Sequence, residues 1–200
     1  MTPLAFYREA KSSIILLGFA EELEWQAAQD PGNVTEAQFL REAAWVVYCS
    51  GFKEAIVRRY FDYLSLCFCD WISGQEIVAN GELCVTAASR VLANERKHRA
   101  LVHIAEMVVA KSFAKFKEEL LTDPLRLLQT LPFLGPITSI HLAKNIGFNI
   151  AKPDRHLIRL KDRLGYSNVS TMCTDIAQAS GDAVNVVDLV LWRYMERRAA

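Results

Sequence analysis

The stretch FLREAAWVVYCSGFKEAIVRRYFDYLSLCF, residues 39–68, sets apolar side chains three and four positions apart along nearly its whole length. That spacing lines one face of an α-helix and is incompatible with the two-residue alternation of a half-buried strand. Ser50-Gly51 interrupts it and predicts a break between two helices. The same period returns in ERKHRALVHIAEMVVAKSF, basic at its start and apolar along one stripe. It returns again in AVNVVDLVLWRYMERR near the end of the chain.

Helix boundaries are marked by their own chemistry. Asp123 before Pro124 supplies a cap and a first-turn proline for DPLRLLQTL. Pro136 opens PITSIHLAKNIGF and Gly147 closes it, while Asn168 and Gly181 bracket NVSTMCTDIAQASG. No sustained alternation, internal repeat or low-complexity linker interrupts the pattern. The expected architecture is all-α, about ten helices joined by short loops. A chain of 200 residues with 52% hydrophobic residues suits one domain, or two small lobes sharing a core.

Lys plus Arg equals Asp plus Glu, 23 each, so global charge gives no hint for or against nucleic acid and leaves room for a local basic patch. The balance hides a polarity. Between His141 and Arg163 six bases (Lys144, Lys152, Arg155, Arg159, Lys161, Arg163) face two acids, Asp154 and Asp162. The first 40 residues hold Arg8 and Lys11 against Glu9, Glu21, Glu22, Glu24, Asp30 and Glu36. No apolar run is long enough to span a bilayer, and MTPLAFYREAKSSIILLGFAEELEW does not read as a secretory signal, so a cytoplasmic chain without membrane contact is expected. Five cysteines (Cys49, Cys67, Cys69, Cys84, Cys173) form no C-x-x-C pair, which argues for reduced, buried thiols over zinc or iron–sulfur ligation. His98 and His103 are five apart, do not stack on one helix face, and are expected at the surface or its boundary.

LLQTLPFLGPITSIHLAKNIG reads as helix, tight turn, helix: Pro132 ends the first and Gly135 permits the turn. The first amides of the second helix have no partner within it and suit an anion such as phosphate. Pro136 carries no N–H, so the expected donors are Gly135, Ile137 and Thr138, with Lys144 two turns along adding charge. Asp154, in KPDRHLIRL, stands before a helix and reads as an N-cap, a catalytic carboxylate, or both.

These segments together resemble the helix-hairpin-helix base-excision DNA glycosylase superfamily (HhH-GPD). Its hairpin commonly reads L-P-G-V-G, followed by a short loop and an aspartate, often within V-D-T-H-V-x-R. Here Asp154 follows Gly135 by 19 positions, with His156 and Arg159 at the matching offsets. FLREAAWVVYCSGF, ERKHRALVHIAEMV and VVDLVLWRY are similar to family helices upstream and downstream, so the resemblance spans residues 36–197. It implies one glycosylase domain over residues 1–200, a hairpin at residues 123–147, two lobes with a base pocket in a cleft between them, and a monomer acting without cofactor on double-stranded DNA.

The implied activity is flipping of a damaged or modified base and hydrolysis of its N-glycosidic bond by Asp154, leaving an abasic site. The substrate would be an altered base in repair, or a hypermodified base such as modified cytosine in phage DNA, excised in antiviral defence. A non-catalytic hairpin module that only binds DNA is the alternative. Phosphate contacts would come from Phe133, Gly135, Ile137, Thr138, Lys144, Lys152, Arg155, His156 and Arg159. Glu24, Trp25, Gln26, Trp45 and Tyr48 are candidates for the base pocket, and Phe52 for the wedge; core packing is the competing role for these aromatics. Two departures stand out. Phe133 replaces the first hairpin glycine, which predicts a tilted turn or a different backbone path. Ile137 occupies the position of the lysine of bifunctional members, which leaves water as the nucleophile.

Overall fold

Side-chain caps fix where many of the helices begin. In this computed structural model, which describes residues 2–199, Thr2, Thr35, Ser73, Asn94, Asp123, Asp154 and Asn168 each accept a hydrogen bond from a first-turn amide. Thr35 and Gln38 complete a reciprocal capping box. Thirteen α-helices and one 3-10 turn result, with no strand among the described residues. The all-α expectation holds, with three more helices than the apolar period alone suggested.

The chain divides into two compact units, residues 1–31 with 143–200, and residues 32–142. The first holds α1 (Pro3–Leu16), α2 (Ala20–Ala28), α11 (Arg155–Leu164), α12 (Val169–Ser180) and α13 (Val184–Ala199). Here α13 is the hub, packed against α1, α2, α11 and α12. Its Val187, Val190 and Leu191 lie in a core with Ile14, Leu157, Leu160, Met172 and Cys173.

The second unit holds α3 (Glu36–Cys49), α4 (Glu54–Cys67), α5 (Gly74–Ala79), α6 (Gly81–Val91), α7 (Glu95–Lys111), α8 (Phe113–Thr122) and α9 (Pro124–Leu128). Its hub is α7, which touches α3, α5, α6 and α8. Helix α10 (Pro136–Asn145) begins in this unit and carries the chain back to the first.

Between α4 and α5 the chain makes an unusual turn. Cys69, Asp70 and Trp71 all take positive φ, at 54°, 51° and 60°. L-residues adopt this region at a cost. The turn folds Trp71 back onto α4, where its ring stacks on Phe68 with centroids 5.0 Å apart and its Nε1 donates to Ser65 at 2.8 Å. No described helix is long and apolar enough to cross a membrane.

Candidate functional site

In the second unit the segment between α9 and α10 makes a tight turn centred on Phe133. Phe133 takes φ 64°. The expectation of a different path for phenylalanine is therefore corrected: the residue adopts the left-handed conformation that a glycine would supply. Thr138 Oγ1 sits 3.1 Å from the Phe133 carbonyl and 3.3 Å from that of Gly135, tying the turn to the first helical turn of α10. The amides of Ile137 and Thr138 lie in that first turn, where no intrahelical acceptor exists. Ile137 is 44% exposed.

The strained turn has a neighbour that the sequence did not single out. Lys97 of α7 is buried, and its Nζ donates to the Val47 carbonyl and, at 2.7 Å, to Ser50 Oγ, closing the C-terminus of α3. The same ammonium lies 4.9 Å from the Phe133 ring centroid and 5.8 Å from that of Phe52. Burial lowers the Lys97 pKa below the ordinary lysine value, against an opposing pull from Cys49. The two rings, rich in π electrons, stabilise the charge that burial penalises. The structure thus brings Phe52 and Phe133 together over one cation.

In the first unit Asp154 caps α11. Its Oδ1 accepts from the amides of His156 at 2.8 Å and Leu157 at 3.1 Å. Its own N–H donates to the Lys152 carbonyl at 2.8 Å. The loop leading to it is anchored on α13. Lys152 N donates to Asp188 Oδ1 at 2.7 Å, and Asn149 Oδ1 accepts from Val184 N at 2.7 Å and from Asn185 N at 3.4 Å. At the start of the loop Gly147, φ 104°, closes α10: its N–H reaches the Lys144 carbonyl at 3.1 Å and that of Phe148 reaches Ala143 at 3.0 Å. This is the double bond pattern of a Schellman cap.

No family model, curated protein or solved structure matches this chain.

Several expected contact residues are not where a DNA contact needs them. Lys144, expected to face phosphate, is buried and ion-paired to Asp188 at 2.7 Å, with side-chain exposures of 6% and 2%. A buried ammonium with a carboxylate partner has no charge left to offer a ligand. His156 is also buried, and its Nε2 lies 3.3 Å from Arg155 Nε. Arg155 and Arg159 are exposed, and Lys152 is half-buried.

The pocket candidates scatter. Gln26 is buried and its Nε2 donates to the Lys144 carbonyl at 3.0 Å, so it caps α10 rather than reading a base. Tyr48 is fully buried, with its hydroxyl 2.8 Å from His98 Nδ1. Trp45 packs edge-on against Phe61 at 5.1 Å under the Arg58 guanidinium. Trp25, 41% exposed, and Glu24 face solvent on α2. His98, expected near the surface, is buried, and burial lowers its pKa. Of the thiols, Cys84 and Cys173 are buried and Cys49, Cys67 and Cys69 are partly so; burial pushes Cys84 up to about 12.

Asp188 and Lys97 are the site-shaping residues that the sequence reading passed over. A signal existed for the first: an acid between Val186-Val187 and Leu189-Val190 has no solvent to face and requires a buried partner.

Proposed function

We propose that the chain is a monofunctional DNA glycosylase of the helix-hairpin-helix type, with Asp154 as the carboxylate that acts at the sugar. One observation carries this reading. Asp154 spends a single oxygen, Oδ1, on the helix cap, and Oδ2 has no hydrogen bond among the described residues. A purely structural cap needs only the first oxygen. The second is available to a developing positive charge. Its place in the sequence, 19 residues after Gly135 and followed by His156 and Arg159, fits the family pattern.

The chemistry follows from that carboxylate. As the base leaves, C1′ gains oxocarbenium character, and a nearby carboxylate stabilises it electrostatically. The same oxygen orients water for attack at C1′. Ile137 offers no amine, so no Schiff base forms and the strand is left intact at an abasic site. The turn at Phe133 and the first-turn amides of α10 hold a backbone phosphate without reading sequence. With Lys144 and His156 buried, the positive charge offered to DNA comes from the exposed Arg155 and Arg159. Trp25 and Glu24 remain as exposed candidates for base recognition.

The test is base release. The wild-type chain and two variants, Asp154→Asn and Asp154→Ala, are incubated with duplexes bearing alkylated, oxidised, deaminated and phage-type hypermodified bases. Free base is read by mass spectrometry and abasic sites by alkaline cleavage. Asn caps as well as Asp, whereas Ala costs about 0.5–2 kcal/mol of stability. The expected result is loss of base release in both variants, with a lowered melting temperature only in Asp154→Ala. DNA binding without base release from any panel would replace this reading with that of a non-catalytic hairpin module.

A further inference from the structure

We infer that Asp188 is a positioning residue for Asp154, an inference that rests on the reading of Asp154 as the carboxylate acting at C1′. Asp188 lies in α13 among Val186, Val187, Leu189 and Val190, and its side chain is 2% exposed. Its two oxygens serve different elements. Oδ2 accepts from Lys144 Nζ of α10 at 2.7 Å. Oδ1 accepts from the Lys152 amide at 2.7 Å. The Lys152 carbonyl then accepts the Asp154 N–H at 2.8 Å. Two hydrogen bonds therefore separate a buried ion pair from the backbone of the proposed catalytic residue.

The residue choice makes sense for geometry more than for stability. A buried ion pair is commonly replaceable by an apolar pair of similar volume with no loss of stability. What an apolar pair cannot do is accept the Lys152 N–H. Lys144 in turn is fixed from its other side, because Gln26 caps its carbonyl at 3.0 Å. One helical turn upstream of Asp188, Asn149 binds the first amides of α13 and holds the middle of the same loop. The loop is thus pinned twice along α13 before it delivers Asp154 to its cap. Such supporting bonds hold a reacting group within the narrow tolerance that catalysis needs.

The experiment separates anchoring from charge. Lys144→Met with Asp188→Leu removes the pair and the acceptor. Lys144→Met with Asp188→Asn removes the charges but keeps an oxygen for the Lys152 amide. Melting temperature, DNA affinity, single-turnover base release and hydrogen exchange of the Lys152 amide are measured in each. The Leu double variant is expected to release base roughly 10- to 100-fold more slowly with DNA affinity unchanged, since small misplacements of a reacting group carry that cost. Its Lys152 amide should exchange faster, and the Asn double variant should stay near wild type in both readouts. Equal base-release rates, or equal Lys152 exchange, in the two variants overturns the inference. In the wild type, rapid exchange at Lys152 also overturns it, whatever the variants do. Absence of base release from wild type sinks the glycosylase reading instead, and the exchange data then judge the anchor on their own.

Discussion

Replacing Gly147 by alanine should be the most damaging of the left-handed glycine substitutions, because it meets two penalties at once. The first is conformational: at φ 104° an L-residue is strained whatever the space around it. The second is steric. A Cβ at Gly147 would stand 2.7 Å from Asp30 N and from Gln29 C, and 2.8 Å from Gln29 O. All three are backbone atoms, so no rotamer change relieves the contact. Gly165 and Gly181 supply internal controls, with φ 79° and 83° and nothing within 4 Å of an added Cβ. Alanine at either control should cost about 1–2 kcal/mol, the strain of one left-handed residue. Gly147→Ala adds the cost of forced displacement, about 1–3 kcal/mol by analogy with overpacked cores, for a total of about 2–5 kcal/mol. For a chain of this size each kcal/mol lowers the melting temperature by about 2–4 °C. Calorimetry of the three single variants, matched in buffer and scan rate, reads the difference directly. A Gly147→Ala melting temperature no lower than those of the two controls would refute the steric half of the reasoning. It would mean that the Gln29–Asp30 backbone yields freely, and that the loop leading to Asp154 is not fixed at its start.

Two further outcomes concern His98 and Phe133 in the second unit. His98 is buried with Nε2 at 2.7 Å from the Leu92 carbonyl, which makes Nε2 the protonated nitrogen and Nδ1 the acceptor for the Tyr48 hydroxyl. Because its folded pKa is lowered, its contribution to stability is complete above the unfolded value of about 6.5 and is lost as pH falls through that value toward the folded one. Thermal melts at closely spaced pH, wild type against His98→Leu, should show the extra acid sensitivity only in wild type; parallel curves would contradict it. Phe133→Gly removes a strain of about 1–2 kcal/mol and a cation–π contact of about 0.5–2 kcal/mol, so its net effect on stability should be small. Phe133→Ala keeps the strain, loses the contact, and should melt below Phe133→Gly; the reverse order would deny Lys97 its role under the turn.

What could be read from the sequence divides along a physical line. Local signals translated well. Asp123-Pro124, Asn168, Gly147 and Gly181 sit at helix ends because caps depend on residues a few positions apart. The all-helical class followed from the apolar period, which is also local. The left-handed run at Cys69–Trp71 was invisible, because its cause is tertiary: a tryptophan returning to stack on Phe68 and bond to Ser65. Lys144 was misread for a related reason. Counting six bases against two acids between His141 and Arg163 treats every charge as if it faced water. Lys144 lies beside Leu142 and Ala143, both buried, on the last turn of α10, and the acid that neutralises it is 44 positions away. A charge in an apolar run can be recognised as needing a partner, but spacing alone cannot say which one. Asp188 and Lys144 each carried half of that signal. Read together, one buried acid in VVDLVLW and one base in HLAKNIG would have removed Lys144 from the candidate phosphate contacts and marked α13 as the support of the Asp154 loop. That loop is where the proposed chemistry and the most demanding packing of the first unit coincide, through Gly147, Asn149 and Lys152. Helix caps and apolar stripes place Asp154 at the head of α11; the long-range pairings of the first unit hold its backbone in place, as the chemistry proposed for its second oxygen requires.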